Sequence, residues 1–325
     1  MAAGGLIYYP DSNPGITRRR RGRGFSYTAP DGTAIACRAE RARLAALAIP
    51  PAYDDVWIAP MPNAHLLATG RDARRRKQYR YHPDWAEARA QTKFDRLADV
   101  GRALPALRRW ITRALAGDIG SQDTAIAAAL ALIDRAALRP GDPVYTASNG
   151  SHGALTLEGR HLTRDGARIT LNYTAKGGKE VTKSLTGARL ARVLHRCADL
   201  PGSRLFDVPG PNGPVPLRSD HIQEVLTDLG GDAITPKSLR TWAGTLAAFD
   251  CARASAPTLP TIASLAHAAA ARLHNTATVA RNSYIHPDVI ATAEDADALH
   301  RAARASDDGP SELRQGEAAL LRYLV

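Results

Sequence analysis

Residues 275–287 read Asn275-Thr276-Ala277-Thr278-Val279-Ala280-Arg281-Asn282-Ser283-Tyr284-Ile285-His286-Pro287. The run predicts a short helix ending near a tyrosine and closed by a proline, which cannot continue it. A tyrosine at a helix end is ordinarily packing, and a phenol of pKa ~10 is a poor nucleophile at neutral pH. It attacks a phosphodiester only where fixed positive charge stabilises the phenolate and the transition state. The rest of the chain must supply that charge.

The composition favours a polyanionic partner. The 325 residues, enough for two domains, include 43 Lys+Arg and 32 Asp+Glu, a net charge of +11. Nucleic acid and an anionic membrane surface are the two candidates. No apolar run approaches the roughly 20 residues of a membrane span, and Met1-Ala-Ala-Gly-Gly5 lacks a signal-peptide pattern. Cys37, Cys197 and Cys251 stand singly, so neither a disulfide framework nor a cysteine zinc site is indicated. An intracellular protein is expected. The charge is uneven: residues 1–86 hold 14 Lys/Arg and 7 Asp/Glu, leaving 29 and 25 for the remainder. That predicts a small front domain facing the polyanion.

Residues 1–16 are Gly-, Pro- and Asn-rich and read as loose. They lead into Arg18-Arg-Arg-Arg21-Gly-Arg23, a basic arm adding salt-dependent, sequence-independent affinity. Short strands are expected at Phe25–Tyr27, Ala34–Cys37, Val56–Ile58 and His65–Thr69, with a helix over Ala39–Ala48. Gly70-Arg71-Asp72 opens a charge run that ends in Gln78-Tyr79-Arg80-Tyr81. On a strand Tyr79 and Tyr81 share one face. Beside the basic run they suit a nucleic-acid groove, though a strand core would use them equally well.

Pro83–Gln91 reads as the crossover between domains. A helix follows over Lys93–Ala116, with Pro105 marking a bend or break. Another spans Thr124–Ala137 with Ser121 as cap. Residues 142–184 read as sheet, with strands at Val144-Tyr145, Ala154–Leu157 and Arg168–Tyr173, then a hairpin tipped by Lys176-Gly-Gly-Lys179. Helices are expected over Thr186–Asp199 with Thr186 as cap, over Ser219–Leu229 with Ser219 as cap, from Pro236 to about Asp250, over Thr261–Leu273 and to the end. Walker A, GxGxxG, HExxH and GxSxG patterns are absent, as are clustered carboxylates for two-metal phosphoryl transfer. The remaining chemistry is cation-rich attack on phosphate, with no metal or cofactor.

Five features in order resemble the type IB DNA topoisomerase family, in its small bacterial and poxvirus-like form. They are Gly70-Arg71-Asp72 with Gln78-Tyr79-x-Tyr81, Leu138-Arg139-x-Gly141-x-x-x-Tyr145, the Lys176–Lys179 hairpin, Lys237-Ser-Leu-Arg240, and Asn275-Thr276 with Tyr284. The likeness covers roughly residues 20–300, including Ile49–Ile58. It implies an α+β chain: a β-rich N-terminal DNA-clamp domain over residues 1–86, and a larger mainly helical catalytic domain over residues 87–325. The latter would have the DNA breaking-rejoining fold that tyrosine recombinases and type IB topoisomerases share.

The resemblance makes Tyr284 the nucleophile, taking the 3′ phosphate and leaving a 5′ hydroxyl. Arg139 and Arg240 would contact the scissile phosphate, since a guanidinium is permanently charged and forks onto two oxygens. Lys176 would protonate the leaving 5′ oxygen, a role worth ~10²–10⁴-fold, with Lys179 its rival. Tyr145 and Lys237 would be secondary phosphate contacts, and Arg71, Gln78, Tyr79 and Tyr81 front-domain DNA contacts. One departure stands out. Many members carry a histidine nine residues before the tyrosine, and here that residue is Asn275. Its amide can donate the same hydrogen bond but offers no charge. His274, about 100° round a helix, is not expected to replace it.

The expected activity is relaxation of supercoiled duplex DNA without ATP or metal, by a monomer clamping the duplex, in the cytoplasm with the nucleoid. Two alternatives share part of the pattern. A tyrosine recombinase uses the same chemistry, but usually with His-x-x-Arg where this chain has Lys237-x-x-Arg240, and with a helical front domain. A non-enzymatic basic DNA-binding protein leaves the ordered Arg/Lys/Tyr series unexplained.

Overall fold

A computed structural model describes residues 5–200 and 204–325 of the chain. They form two compact units divided between Thr92 and Lys93. The sequence placed the division at residue 86. The structure moves it because Pro83–Gln91, expected as a crossover, belongs to helix α2 (Pro83–Asp95), which runs across the division.

In the first unit β1 (Ile16–Arg21), β2 (Gly24–Thr28), β3 (Asp54–Ile58), β4 (Leu66–Arg71) and β5 (Lys77–Tyr81) form one antiparallel sheet in the order β2-β1-β3-β4-β5. Helix α1 (Arg38–Ala46) covers one face. Strand side chains alternate between faces, so Ile16, Tyr27, Val56, Ile58 and Ala68 meet Leu44 of α1 in a small core. Three expectations change. Residues 1–4 lie outside the described chain, but the segment after them is docked rather than loose: Ile7 bridges Ala64, and Leu6 is buried. The basic arm is strand β1. Within it Arg18 is structural, donating to the carbonyls of Ile49, Pro50 and Tyr53 at 2.9–3.0 Å and stacking on Phe25, while Arg19, Arg20 and Arg21 stay exposed. Ala34–Cys37 contributes only a single bridge, Thr28 to Ala34.

The second unit is mainly helical. Its elements are α3 (Leu97–Ala114), α4 (Gln122–Ala136), α5 (Pro143–Asn149), strands β6 (Leu162–Asp165), β7 (Arg168–Ala175) and β8 (Lys179–Thr186), then α6 (Ala188–Ala198) and the hairpin β9 (Asp207–Gly210) and β10 (Gly213–Pro216). After these come α7 (Ser219–Gly230), α8 (Pro236–Ser255), α9 (Ile262–Leu273), α10 (Ala277–Tyr284), α11 (Pro287–Ala291), α12 (Ala296–Arg304) and α13 (Glu317–Tyr323). Helix α4 is buried on nearly every side, as its Ala/Leu/Ile sequence requires, and lies at the centre of one large core.

Here too several elements differ from the sequence expectation. The expected Lys93–Ala116 helix breaks at Arg96 (φ −91°, ψ 5°), whereas Pro105 lies inside an unbroken α3. A proline within a helix costs ~3 kcal/mol. The buried stripe Leu97, Val100, Leu104, Leu107 and Ile111 offsets that. Residues 142–184 are not all sheet. Asp142 caps α5, its carboxylate accepting the Val144 N–H at 2.8 Å, and Pro143 sits at the first helical position. Tyr145 is therefore on a helix. Ala154–Thr156 is one tight 3-10 turn, so the sheet is β6-β7-β8 alone. Thr186 ends β8 instead of capping α6, which Gly187 precedes, and Arg218 takes the cap position expected of Ser219.

Candidate active site

The loop carrying Arg139 starts where α4 ends, at Ala137 in the left-handed conformation (φ 54°). It is pinned by backbone bonds: Ala154 N–H donates to the Arg139 carbonyl at 2.8 Å and Leu155 N–H to that of Pro140 at 2.6 Å. Two glycines permit this close approach. A Cβ on Gly153 would lie 2.6 Å from the Arg139 carbonyl, and one on Gly141 2.7 Å from Thr156 Oγ1.

Arg240 lies one turn into α8, which opens with a reciprocal cap between Thr235 and Ser238 and Pro236 at its first position. Its guanidinium is buried (3% exposed). Nη1 donates to the Ala137 carbonyl, Nη2 to the Leu273 carbonyl at 3.3 Å, and Nε has no partner. Burial above all, then Arg139, pushes its pKa below the usual arginine value, while the phenols of Tyr284 and Tyr173 oppose this.

Helix α9 ends at His274, also left-handed (φ 52°), one residue before Asn275. Non-glycine residues in this conformation cost of order 1 kcal/mol or more. Both loops that bear candidate residues begin with one. Asn275 Oδ1 accepts a bond from Arg139 Nη2 at 2.5 Å, and its buried Nδ2 has no partner. Helix α10 follows, capped by Thr276, and ends at Tyr284. The half-buried Tyr284 packs on Ala137, Ala243 and Leu273, with the Arg240 guanidinium carbon 5.5 Å from its ring centre. Its carbonyl accepts from Thr245 Oγ1 at 3.1 Å.

A narrow cleft with ~10 Å³ of room for a water-sized body is lined by Arg139, His152, Tyr173, Lys183, Arg240 and His274, among others. That fits about one oxygen atom. None of Arg139, Lys183, Arg240 and Arg272 forms an ion pair with a carboxylate among the described residues. Such a cleft suits one non-bridging oxygen of a phosphate held at its mouth. The described residues contain no group of three or more His, Cys, Asp or Glu placed to hold a metal ion.

The structure thus gathers Arg139, Arg240, Asn275 and Tyr284. Lys176 and Lys179 stay exposed on the tip between β7 and β8, outside the cleft lining. Lys179 is near enough to repel a charge on His274, whose pKa falls through burial first, then Lys183, Lys179, Arg240 and Arg139. Tyr145 (39% exposed) and Lys237 lie on helix surfaces. In the first unit Tyr79 and Tyr81 are exposed and stacked at 6.1 Å, not core residues. There Gln78 donates to Asp72 at 3.0 Å, and Arg71 pairs with Asp55 at 3.4 Å.

Two lysines escaped the sequence reading. Lys183 lines the cleft and donates to the Arg272 carbonyl at 2.8 Å. Burial, Arg272 and Arg240 lower its pKa to about 8. Lys93 donates to the Ser283 carbonyl at 2.9 Å, next to Tyr284, and burial with Lys237 lowers it to about 8. The alternation Val181-x-Lys183-x-Leu185 puts Lys183 on the inward face of β8, which was legible. Nothing local marks Lys93.

Residues 82–295 match the family model of the eukaryotic DNA topoisomerase I catalytic core, and residues 24–72 match that of the bacterial DNA topoisomerase IB N-terminal domain. The chain is also 27% identical over 237 residues to the DNA topoisomerase 1B of Acanthamoeba polyphaga mimivirus, covering 71% of this chain and 70% of that protein. The chain belongs to the type IB DNA topoisomerases, enzymes that relax DNA.

Proposed function

We propose that the chain relaxes supercoiled duplex DNA by transient cleavage of one strand, with Tyr284 as nucleophile and a 3′-phosphotyrosyl intermediate. The observation that carries this is the pair of unpartnered buried donors, Arg240 Nε in the cation-lined cleft and Asn275 Nδ2 on the residue bonded to Arg139 of that cleft, beside a tyrosine. An unmade hydrogen bond on a buried donor costs ~1–3 kcal/mol. A phosphate would offer acceptors to both donors, and would meet Arg139 and Arg240 with the backbone anchors of Arg240 at Ala137 and Leu273 kept. As the phosphorus becomes pentacoordinate, its oxygens gain charge against preorganised donors.

Lys176 is the acid for the 5′ oxygen. A lysine on a glycine-rich tip can swing to a bound strand, and Lys179 is the rival because it already reaches His274 electrostatically. Tyr145 and Lys237 contact flanking phosphates. Arg71, Gln78, Tyr79 and Tyr81 contact the duplex from the first unit, the exposed tyrosines offering edges for groove contacts. The second unit carries the DNA breaking-rejoining fold shared with tyrosine recombinases. The phosphotyrosine stores the bond energy and supercoil strain drives rotation, so neither ATP nor metal is needed. The enzyme acts as a monomer clamped on duplex DNA, in the cytoplasm with the nucleoid.

The test is plasmid relaxation in EDTA without ATP, with trapping of the covalent adduct, comparing wild type with Tyr284→Phe. Relaxation and an adduct that both vanish in Tyr284→Phe support the reading. An adduct that persists overturns it. Exchange at one defined site would mean a recombinase, and binding without nicking a non-enzymatic protein.

A further inference from the structure

Strand β8 alternates between faces, with Val181, Lys183 and Leu185 turned inward and Thr182, Ser184 and Thr186 exposed. Val181 and Leu185 pack into the core of the second unit. Lys183 holds the position between them, where an apolar residue would satisfy the sheet at lower cost. Even a half-buried ammonium is costly unless it is paired. The only bond it makes among the described residues is to the Arg272 carbonyl, at the C-terminal end of α9. It carries three N–H donors, so two remain for another acceptor. It lines the same cleft as Arg139 and Arg240, and no described carboxylate neutralises it.

We propose that Lys183 is a third phosphate-contacting cation of the site, its ammonium fixed by the Arg272 carbonyl and donating to a non-bridging oxygen of the scissile phosphate beside Arg139 and Arg240. This rests on the reading of the cleft as the phosphate site. Lys183 differs from Lys176 and Lys179 in being held in place before DNA arrives. The latter two lie on an exposed tip, whereas Lys183 sits in the middle of a paired strand, opposite Leu171. A charge already positioned needs no reorganisation as the transition state forms, which is where electrostatic stabilisation gains most. The easily lost proton of Lys183 fits this placement: the cation is destabilised by burial and by its arginine neighbours until an anion joins them.

The competing role is purely structural, an amine capping the C-terminus of α9. Two variants of the full chain separate the roles. Lys183→Met removes charge and donor together. Lys183→Gln removes the charge but keeps an N–H donor for the Arg272 carbonyl. The probe is a duplex oligonucleotide in single-turnover adduct formation, with thermal unfolding as the check on folding. Both variants are expected to form adduct ~10²-fold more slowly than wild type, the scale for losing one preorganised donor to a developing oxyanion. A second duplex, with a neutral methylphosphonate at the scissile position, removes the charge that Lys183 would meet. On it the defect of both variants is expected to shrink by ~10-fold or more, the coupling of groups in direct contact. Equal defects on the two duplexes, or a Lys183→Gln variant that reacts like wild type, overturn the proposal. Arg240→Met provides the separate check: if it keeps full rate on the phosphodiester, the phosphate-site reading itself fails, whatever Lys183 does.

Discussion

Gly244 decides how closely Tyr284 can approach α8. A Cβ built on it would lie 2.8 Å from the Tyr284 carbonyl oxygen, 2.8 Å from Leu273 Cδ1 and 3.1 Å from Tyr284 Cβ. Two opposing effects meet in Gly244→Ala. Helix propensity favours alanine by ~1 kcal/mol in a helix interior. Overpacking costs ~1–3 kcal/mol when neighbours cannot give. Leu273 Cδ1 belongs to a side chain that is itself buried (2% exposed). The Tyr284 carbonyl is backbone, held by Thr245 Oγ1, which also accepts the His286 N–H at 3.2 Å. The clash therefore outweighs propensity, and the variant is expected to lose up to ~2 kcal/mol. Because the displaced group is the end of α10, the tyrosine moves with it. A misplacement approaching 1 Å costs up to ~10²-fold in rate. Urea unfolding gives the first quantity and single-turnover adduct formation the second. A Gly244→Ala protein that is more stable than wild type and forms adduct at the wild-type rate would refute the reasoning, since propensity would then have won with α10 unmoved.

Three other perturbations probe the surroundings of the site. Lys93 has a folded pKa of about 8 against an ordinary 10.5, so between those values the unfolded chain binds more protons and stability rises with pH. Lys93→Met should thus be more stable than wild type at pH 7, by ~1–2 kcal/mol after discounting for solvent screening, with the gain fading towards pH 10; adduct formation should slow meanwhile, because the Ser283 carbonyl loses its donor. Glu317 takes two bonds from Arg108, at 2.5 and 2.8 Å, and is 1% exposed. Glu317→Gln should cost ~3–5 kcal/mol, whereas breaking the exposed Arg109–Glu312 pair with Arg109→Gln should cost under ~1 kcal/mol, both read by urea unfolding. Asn275→Ala should abolish most cleavage while His274→Ala keeps it; the reverse result would hand the donor role to the imidazole that lines the cleft.

Periodicity made much of the fold legible. The inward faces of β3 and β4, the Ala/Leu/Ile run of α4 and its cap at Ser121 all follow from local chemistry, and local chemistry is what a sequence states directly. The misreadings arose where two local preferences compete. Val144-Tyr145 has strand propensity, but Asp142-Pro143 starts a helix just before it, and a cap with a proline at the first position wins over two β-favouring residues. Pro105 looked like a bend because its cost is local, while the compensating burial of the α3 stripe lies in other elements. In the site, each cation alone looked like surface charge. Order along the chain suggested Arg139 and Arg240, but no sequence feature says that Arg240 spans two helix ends or that Asn275 turns its oxygen to Arg139. Lys93 was invisible for the same reason: its partner lies 190 residues away.

Two cations of the cleft, Arg240 and Lys183, are held by an unusual kind of partner. Arg240 donates to Ala137 and Leu273, where α4 and α9 end, Lys183 to Arg272 one residue earlier, and Arg272 in turn to Arg135 on the last turn of α4. A helix C-terminus carries roughly half a negative charge. Such an anchor fixes a cation in place yet leaves it only partly compensated, whereas a carboxylate would neutralise it and compete with the substrate. The full carboxylates lie elsewhere: Asp134 and Glu317 are taken by Arg108, and Asp134 also by Arg314. Their field still reaches Arg272, opposing the pKa depression caused by burial and by Arg314. The segregation has a consequence for stability. Without DNA the cations repel one another and the buried Arg240 Nε and Asn275 Nδ2 lack partners, a cost the rest of the unit must offset; the buried Arg108 network, which ties α3, α4 and α13, is one source of that stability. On the proposed reading, binding a phosphate would relieve both strains at once. The more charge the phosphate gains on the way to the transition state, the larger the relief, which is the condition for this arrangement to accelerate strand cleavage rather than merely to bind DNA.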